Sequence, residues 1–64
     1  MGIKEEIFLR KTGFKIDDSV KGKIEFSKAY IDWIMEKSKV FKSKYNIETI
    51  EGYEKEFINF LENF

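Results

Sequence analysis

The stretch Ser27–Tyr45, SKAYIDWIMEKSKVFKSKY, has the spacing of an amphipathic helix, but its apolar residues cover too much of the circumference for a single packing partner. At ~100° per residue, Tyr30, Ile34, Phe41 and Tyr45 form the centre of one face. Trp33, Val40 and Ala29 widen it on one side, and Ile31 and Met35 on the other. Lys28, Asp32, Glu36, Lys39 and Ser43 leave a polar strip about a third of the surface wide. A helix resting on one surface needs an apolar stripe of little more than ~100°. This one must be covered from at least two directions.

The chain has little material with which to do so. Sixty-four residues allow one domain, and the usual supports of so small a fold are missing. There is no Cys for a disulfide, and with no His either the ligands of a structural zinc site are absent. Seven Phe, three Tyr and one Trp make dense aromatic packing the remaining means, together with self-association. A homodimer is therefore expected.

The most regular local pattern lies before the long stretch. FKID (14–17) and KIEF (23–26) alternate apolar and polar residues around the turn-rich DSVKG. Antiparallel pairing sets Phe14 opposite Phe26 and Ile16 opposite Ile24 on one face, with Lys15 opposite Glu25 and Asp17 opposite Lys23 on the other. EIFLR (6–10), preceding a turn at Gly13, can add a third strand. Ser27 then serves as the cap of the central helix, and Asn46 suits a left-handed end. Ile50, Tyr53, Phe57, Phe60 and Phe64 recur at spacings of three and four, the narrow seam of a second helix. A short connection makes the two helices antiparallel, with Phe41 near Tyr53 and Phe57, and Ile34 near Leu61 or Phe64.

The fold expected from these signals is α+β: a small antiparallel hairpin or three-stranded meander over about 5–26, packed on a helix pair over about 27–45 and 48–64. The alternative is an all-α domain of three helices. There the first segment is a short helix ended by Gly13, and a long helix starts near Asp18 or Ser19 with Val20, Ile24, Ser27 and Ile31 on one stripe. Gly22, unfavourable inside a helix, weighs against that alternative.

Several functions are disfavoured by what the chain lacks. Nucleophilic catalysis of the familiar kinds needs Cys, or Ser with a base such as His. The carboxylate pairs Glu5/Glu6 and Asp17/Asp18 point to opposite faces of a strand, and Gly2, Gly13, Gly22 and Gly52 are too scattered for a phosphate loop. No catalytic residue, metal site or cofactor is expected, and the protein is read as non-enzymatic. No apolar run has the length of a membrane span or signal core, so a cytoplasmic location is expected. The wealth of Lys, Ile, Glu, Phe and Asn suits an AT-rich coding sequence, as in low-GC bacteria and their phages.

Twelve basic and twelve acidic side chains cancel, leaving no global field for nucleic acid or anionic membranes. Locally they separate. Lys37, Lys39, Lys42 and Lys44 make 37–44 strongly basic, whereas 46–64 carries five Glu against Lys55. Helix ends matched to their dipoles account for this division. Its functional counterpart is nucleic-acid binding along Lys28, Lys39 and Lys42, which share one flank, although Lys37 and Lys44 project to the other. The better-supported expectation concerns the apolar residues left over once a core is built: Ile31, Met35 and Ile58, with Ile7 or Leu9 if the first strand forms. If contiguous, they make a protein contact site. The sequence thus points to a small protein-protein interaction module that self-associates, or binds and modulates a larger protein as small regulators and inhibitors do.

Overall fold

Ile7 and Phe8 are adjacent in sequence and both are buried. Neighbouring residues on a half-buried strand face opposite ways, so this pair alone disfavours the first expected strand. The computed structural model, which describes residues 2–64, has three helices: α1 (Ile3–Thr12), α2 (Val20–Tyr45) and α3 (Glu54–Glu62). No strand occurs among the described residues. The α+β expectation, with its hairpin or meander over 5–26, is therefore overturned in favour of the all-helical alternative.

Each helix boundary has a local cause. α1 stops at Gly13, which adopts φ 70° and donates its N–H to the Leu9 carbonyl at 2.9 Å. The Thr12 hydroxyl closes the same turn, donating to the Phe8 carbonyl at 2.7 Å and accepting the Phe14 N–H at 3.3 Å. α2 begins at Ser19, not Ser27. The Ser19 hydroxyl accepts the Gly22 N–H at 3.0 Å, and the Asp17 carboxylate accepts the Ser19 N–H at 3.0 Å. The residues read as a hairpin turn are thus a helix cap. At the far end Asn46 is left-handed, as expected, and the Ile47 N–H reaches the Lys42 carbonyl at 3.0 Å in a Schellman arrangement.

Gly22 counted against a helix here, and the structure shows why it is tolerated. A Cβ at this position would lie 2.5 Å from the Asp17 carbonyl oxygen and against the Asp17 Cβ. The connection from α1 crosses the first turn of α2 so closely that only glycine fits. Past α2, Ile47 and Ile50 turn inward against the core, and a turn closed by the Tyr53 N–H on the Ile50 carbonyl (2.8 Å) places Gly52 at φ 86°. The second expected helix consequently starts later than 48 and ends before 64.

α1 and α3 both lie along one side of α2. Lys4 sits over the Phe57 ring and Arg10 pairs with Glu62 at 2.8 Å, so the two short helices run parallel to each other. The molecule measures 39 × 18 × 17 Å, and twenty-six residues at ~1.5 Å each span about 39 Å. The long dimension is α2 itself.

Two aromatic groups fill the seam. Toward the start of α2, Phe8 lies 5.3–5.8 Å from the rings of Phe14, Phe26, Tyr30 and Trp33. Toward its end, Phe41 meets Phe57 at 5.2 Å and Phe60 at 5.5 Å, in a core completed by Ile7 and Leu61. Trp33 touches both groups. The expected Phe41–Phe57 contact is present, and even the Phe14–Phe26 pairing is real at 6.0 Å. It arises from a loop packed on a helix, not from a ladder. The accompanying pairs Lys15–Glu25 and Asp17–Lys23 do not form; Arg10–Glu62 is the sole ion pair among the described residues.

Candidate protein-docking face

With α1 and α3 on one side, another face of α2 has none of the described residues of α1 or α3 against it. Taking Val20 as the origin and ~100° per residue, Ile31, Ile24 and Met35 fall within about 60° of arc. They form a straight apolar stripe, exposed by 76 % at Val20, 51 % at Ile24 and Ile31, and 54 % at Met35. Its N-terminal part is a shallow groove bordered by Lys23, Ser27 and Lys28. The buried face of α2, carrying Phe26, Tyr30, Trp33, Lys37 and Phe41, is centred a little over a third of a turn away, about 130° at ~100° per residue.

The three residues singled out from sequence are therefore separated. Ile31 and Met35 belong to the stripe, whereas Ile58 is half-buried against the core on α3. Ile7, considered alongside them, is wholly buried, and Leu9 is half-buried. Val20 and Ile24 complete the stripe, and reading residues 14–26 as strands concealed them, since it assigned Val20 to a turn and Ile24 to an inward face. The signal was nevertheless there, in the i, i+4, i+11 spacing of Val20, Ile24 and Ile31 in the helical alternative.

The basic residues are divided by the fold. Lys37 is 8 % exposed, and its Nζ sits 3.5 Å from the centre of the Phe64 ring. Lys44 lies over Phe60 and Tyr45 at 5.6 and 5.8 Å. Both are engaged in cation–π contacts on the packed side. Lys28 and Lys39 are exposed and Lys42 is half-buried. Lys28 and Lys39 share a flank beside the stripe, at about 80° and 100° from Val20, but Glu25, Asp32 and Glu36 occupy it too and interrupt the positive charge, and Lys42, at about 40°, lies in line with the stripe instead.

Elsewhere the titratable groups serve structure. Burial and the nearby Glu5 carboxylate push the Tyr30 phenol up to about 12. The Arg10 guanidinium holds the Glu62 carboxyl below its ordinary value, and Glu62 raises Arg10 in return. Among the described residues no group of three His, Cys, Asp or Glu is placed to hold a metal ion, and no helix is long and apolar enough to cross a membrane. Compared with protein-family models, curated proteins and solved structures, the chain matches none.

Proposed function

We propose that the protein is a small non-enzymatic interaction module that docks onto another protein chain through the uncovered face of α2. The observation that carries this reading is the stripe of Val20, Ile24, Ile31 and Met35. Single exposed apolar residues are ordinary on protein surfaces, but four in line along one helix form a continuous apolar surface that a partner would cover. Met35 adds a flexible side chain that adapts to the shape it meets. The binding mode is that of an amphipathic helix presenting i, i+4, i+11 and i+15 anchors to a groove or to another helix.

The reading includes self-association and the binding and modulation of a larger protein. Nucleic acid on Lys28, Lys39 and Lys42 has less support, because acidic residues lie among those lysines.

Replacing Ile31 and Met35 together with Glu tests the proposal, since neither side chain contributes to the core. The variant should keep the helical circular dichroism and melting temperature of the parent. It should lose any concentration-dependent rise in solution mass, and any partner that the parent retains in a side-by-side affinity purification. A parent that is monomeric throughout, with the same retained proteins as the double variant, would refute docking through this face.

A further inference from the structure

The geometry points to a second site, independent of the α2 stripe: the cleft between the end of α2 and α3 binds a small aromatic anion, a planar ring that bears a carboxylate. The cleft has a volume of about 610 Å³, within the range of small-molecule pockets. Val40, Tyr45, Phe60 and Phe64 supply its apolar surface, and the Phe64 ring is 60 % exposed. Phe60 and Phe64 meet edge to face at 5.5 Å and 72°. A planar ring entering the cleft can stack on one of them and meet the edge of the other.

Two lysines set the sign of the ligand. Lys44 lines the cleft, with its Nζ 5.6 Å from the centre of the Phe60 ring and 5.8 Å from that of Tyr45. Lys37 does not line it but lies against Phe64, buried, with its Nζ 3.5 Å from the ring centre. Neither ammonium is paired with a carboxylate among the described residues. The face of an isolated phenyl ring repels an anion, because its π density is negative. An ammonium against one face of Phe64 draws that density toward itself and leaves the other face receptive. A ring stacked there at ~3.5 Å stands about 7 Å from the Lys37 Nζ, inside the ~8 Å Debye length at physiological salt.

Glu56 is the one acidic side chain on the lining. It is exposed, one turn before Phe60 on α3, so solvent and salt screen it more than they screen the buried Lys37. Asn59 lies on the same rim and supplies an N–H donor for the carboxylate. Phe64 is held both by Lys37 and by the Lys11 Nζ, which donates to the Phe64 carbonyl at 3.4 Å. The cleft is therefore formed before the ligand arrives.

Naphthoate titrated into isotope-labelled protein, followed by NMR, tests the assignment against naphthylmethylammonium and naphthalenemethanol, a cation and a neutral molecule with the same ring. Naphthoate should shift the Asn59 and Asn63 side-chain amides and the Phe60 and Phe64 backbone amides saturably. It should bind more tightly than either analogue, by a margin that shrinks with added salt. Lys44→Gln should weaken it roughly two- to five-fold, and Phe64→Ala roughly two- to ten-fold, with the helical circular dichroism of both variants unchanged. The Ile31→Glu, Met35→Glu double variant should bind naphthoate as the parent does, which separates this site from docking through the stripe. Equal affinity for the three probes, indifference to Lys44→Gln, shifts centred on Val20–Met35, or no saturable shift up to the solubility of naphthoate would each overturn the assignment.

Discussion

Replacing Gly22 with Ala should destabilise the protein, although helix propensity alone predicts the reverse. Gly is about 1 kcal/mol less favourable than Ala inside a helix, and Gly22 lies in the first turn of α2. Against that gain, the new methyl would stand 2.5 Å from the Asp17 carbonyl oxygen and 2.9 Å from its carbon. Both are backbone atoms, in a segment pinned by the Ser19 N–H on the Asp17 carboxylate and the Gly22 N–H on the Ser19 hydroxyl. Relief requires the connection to lift away, which loses a cap worth ~1 kcal/mol. Any incomplete relief leaves overpacking of about 1–3 kcal/mol. The net loss is about 1–3 kcal/mol, or roughly 5–20 °C of melting temperature at ~4–8 °C per kcal/mol for a domain of this size. Thermal and urea unfolding followed by circular dichroism measure it. Ser27→Ala, on the exposed face of the same helix, supplies the control for propensity and should raise stability by a few tenths of a kcal/mol. If Gly22→Ala melts at or above the parent temperature, the close approach of Asp17 is not the reason for this glycine.

Phe41→Ala removes a wholly buried ring at the junction of all three helices; the expected cost of about 3–5 kcal/mol takes much of the ~3–10 kcal/mol typical of a chain this long, so a broad, low-temperature melt is expected. The Tyr30 phenol should titrate at about 12 instead of 10. The native state then keeps a proton that the unfolded chain releases, so stability falls as pH rises from 10 towards 12, and Tyr30→Phe should flatten that fall in pH-dependent unfolding. Glu62 shows the opposite sign: its carboxyl is held below 4.5 by Arg10, so the contribution is present above that value and is lost as pH falls below it. Because the pair is exposed the effect is small, and Glu62→Gln should reduce the acid-side slope of the melting midpoint. At low salt a labelled duplex or single strand should show no shift with the protein, since Lys28, Lys39 and Lys42 lack an uninterrupted positive surface.

Two helix ends and part of the core were legible from the sequence alone, but the start of α2 was not: Ser19 caps it, not Ser27. Asn46 is left-handed because an amide side chain tolerates that backbone, and Gly13 ends a segment under either reading of it. Phe41 against Phe57 follows from two seams joined by a short connection. Ile31 and Met35 were identifiable as surplus because no second apolar partner exists on the chain for their flank. These are local or nearest-neighbour properties, set by few residues at a time.

Residues 14–26 show what local pattern could not decide. Phe14, Ile16, Ile24 and Phe26 satisfy a strand register and Val20, Ile24, Ser27 and Ile31 satisfy a helix, so both patterns coexist in one stretch. An isolated pair of strands is marginal in water, whereas a helix continuing from Ser19 sets Phe26, Tyr30 and Trp33 on one face against Phe8 and Phe14. Burying that aromatic group requires α1, which is distant along the chain from Trp33, and only the packed structure brings them together. The same choice turned Ile24 outward to join Val20, Ile31 and Met35. Periodicity determined which residues of Ser27–Tyr45 are apolar and on which side they lie, and tertiary packing decided which of those sides is covered, because α1 and α3 both occupy one side of a helix that is apolar on more than one.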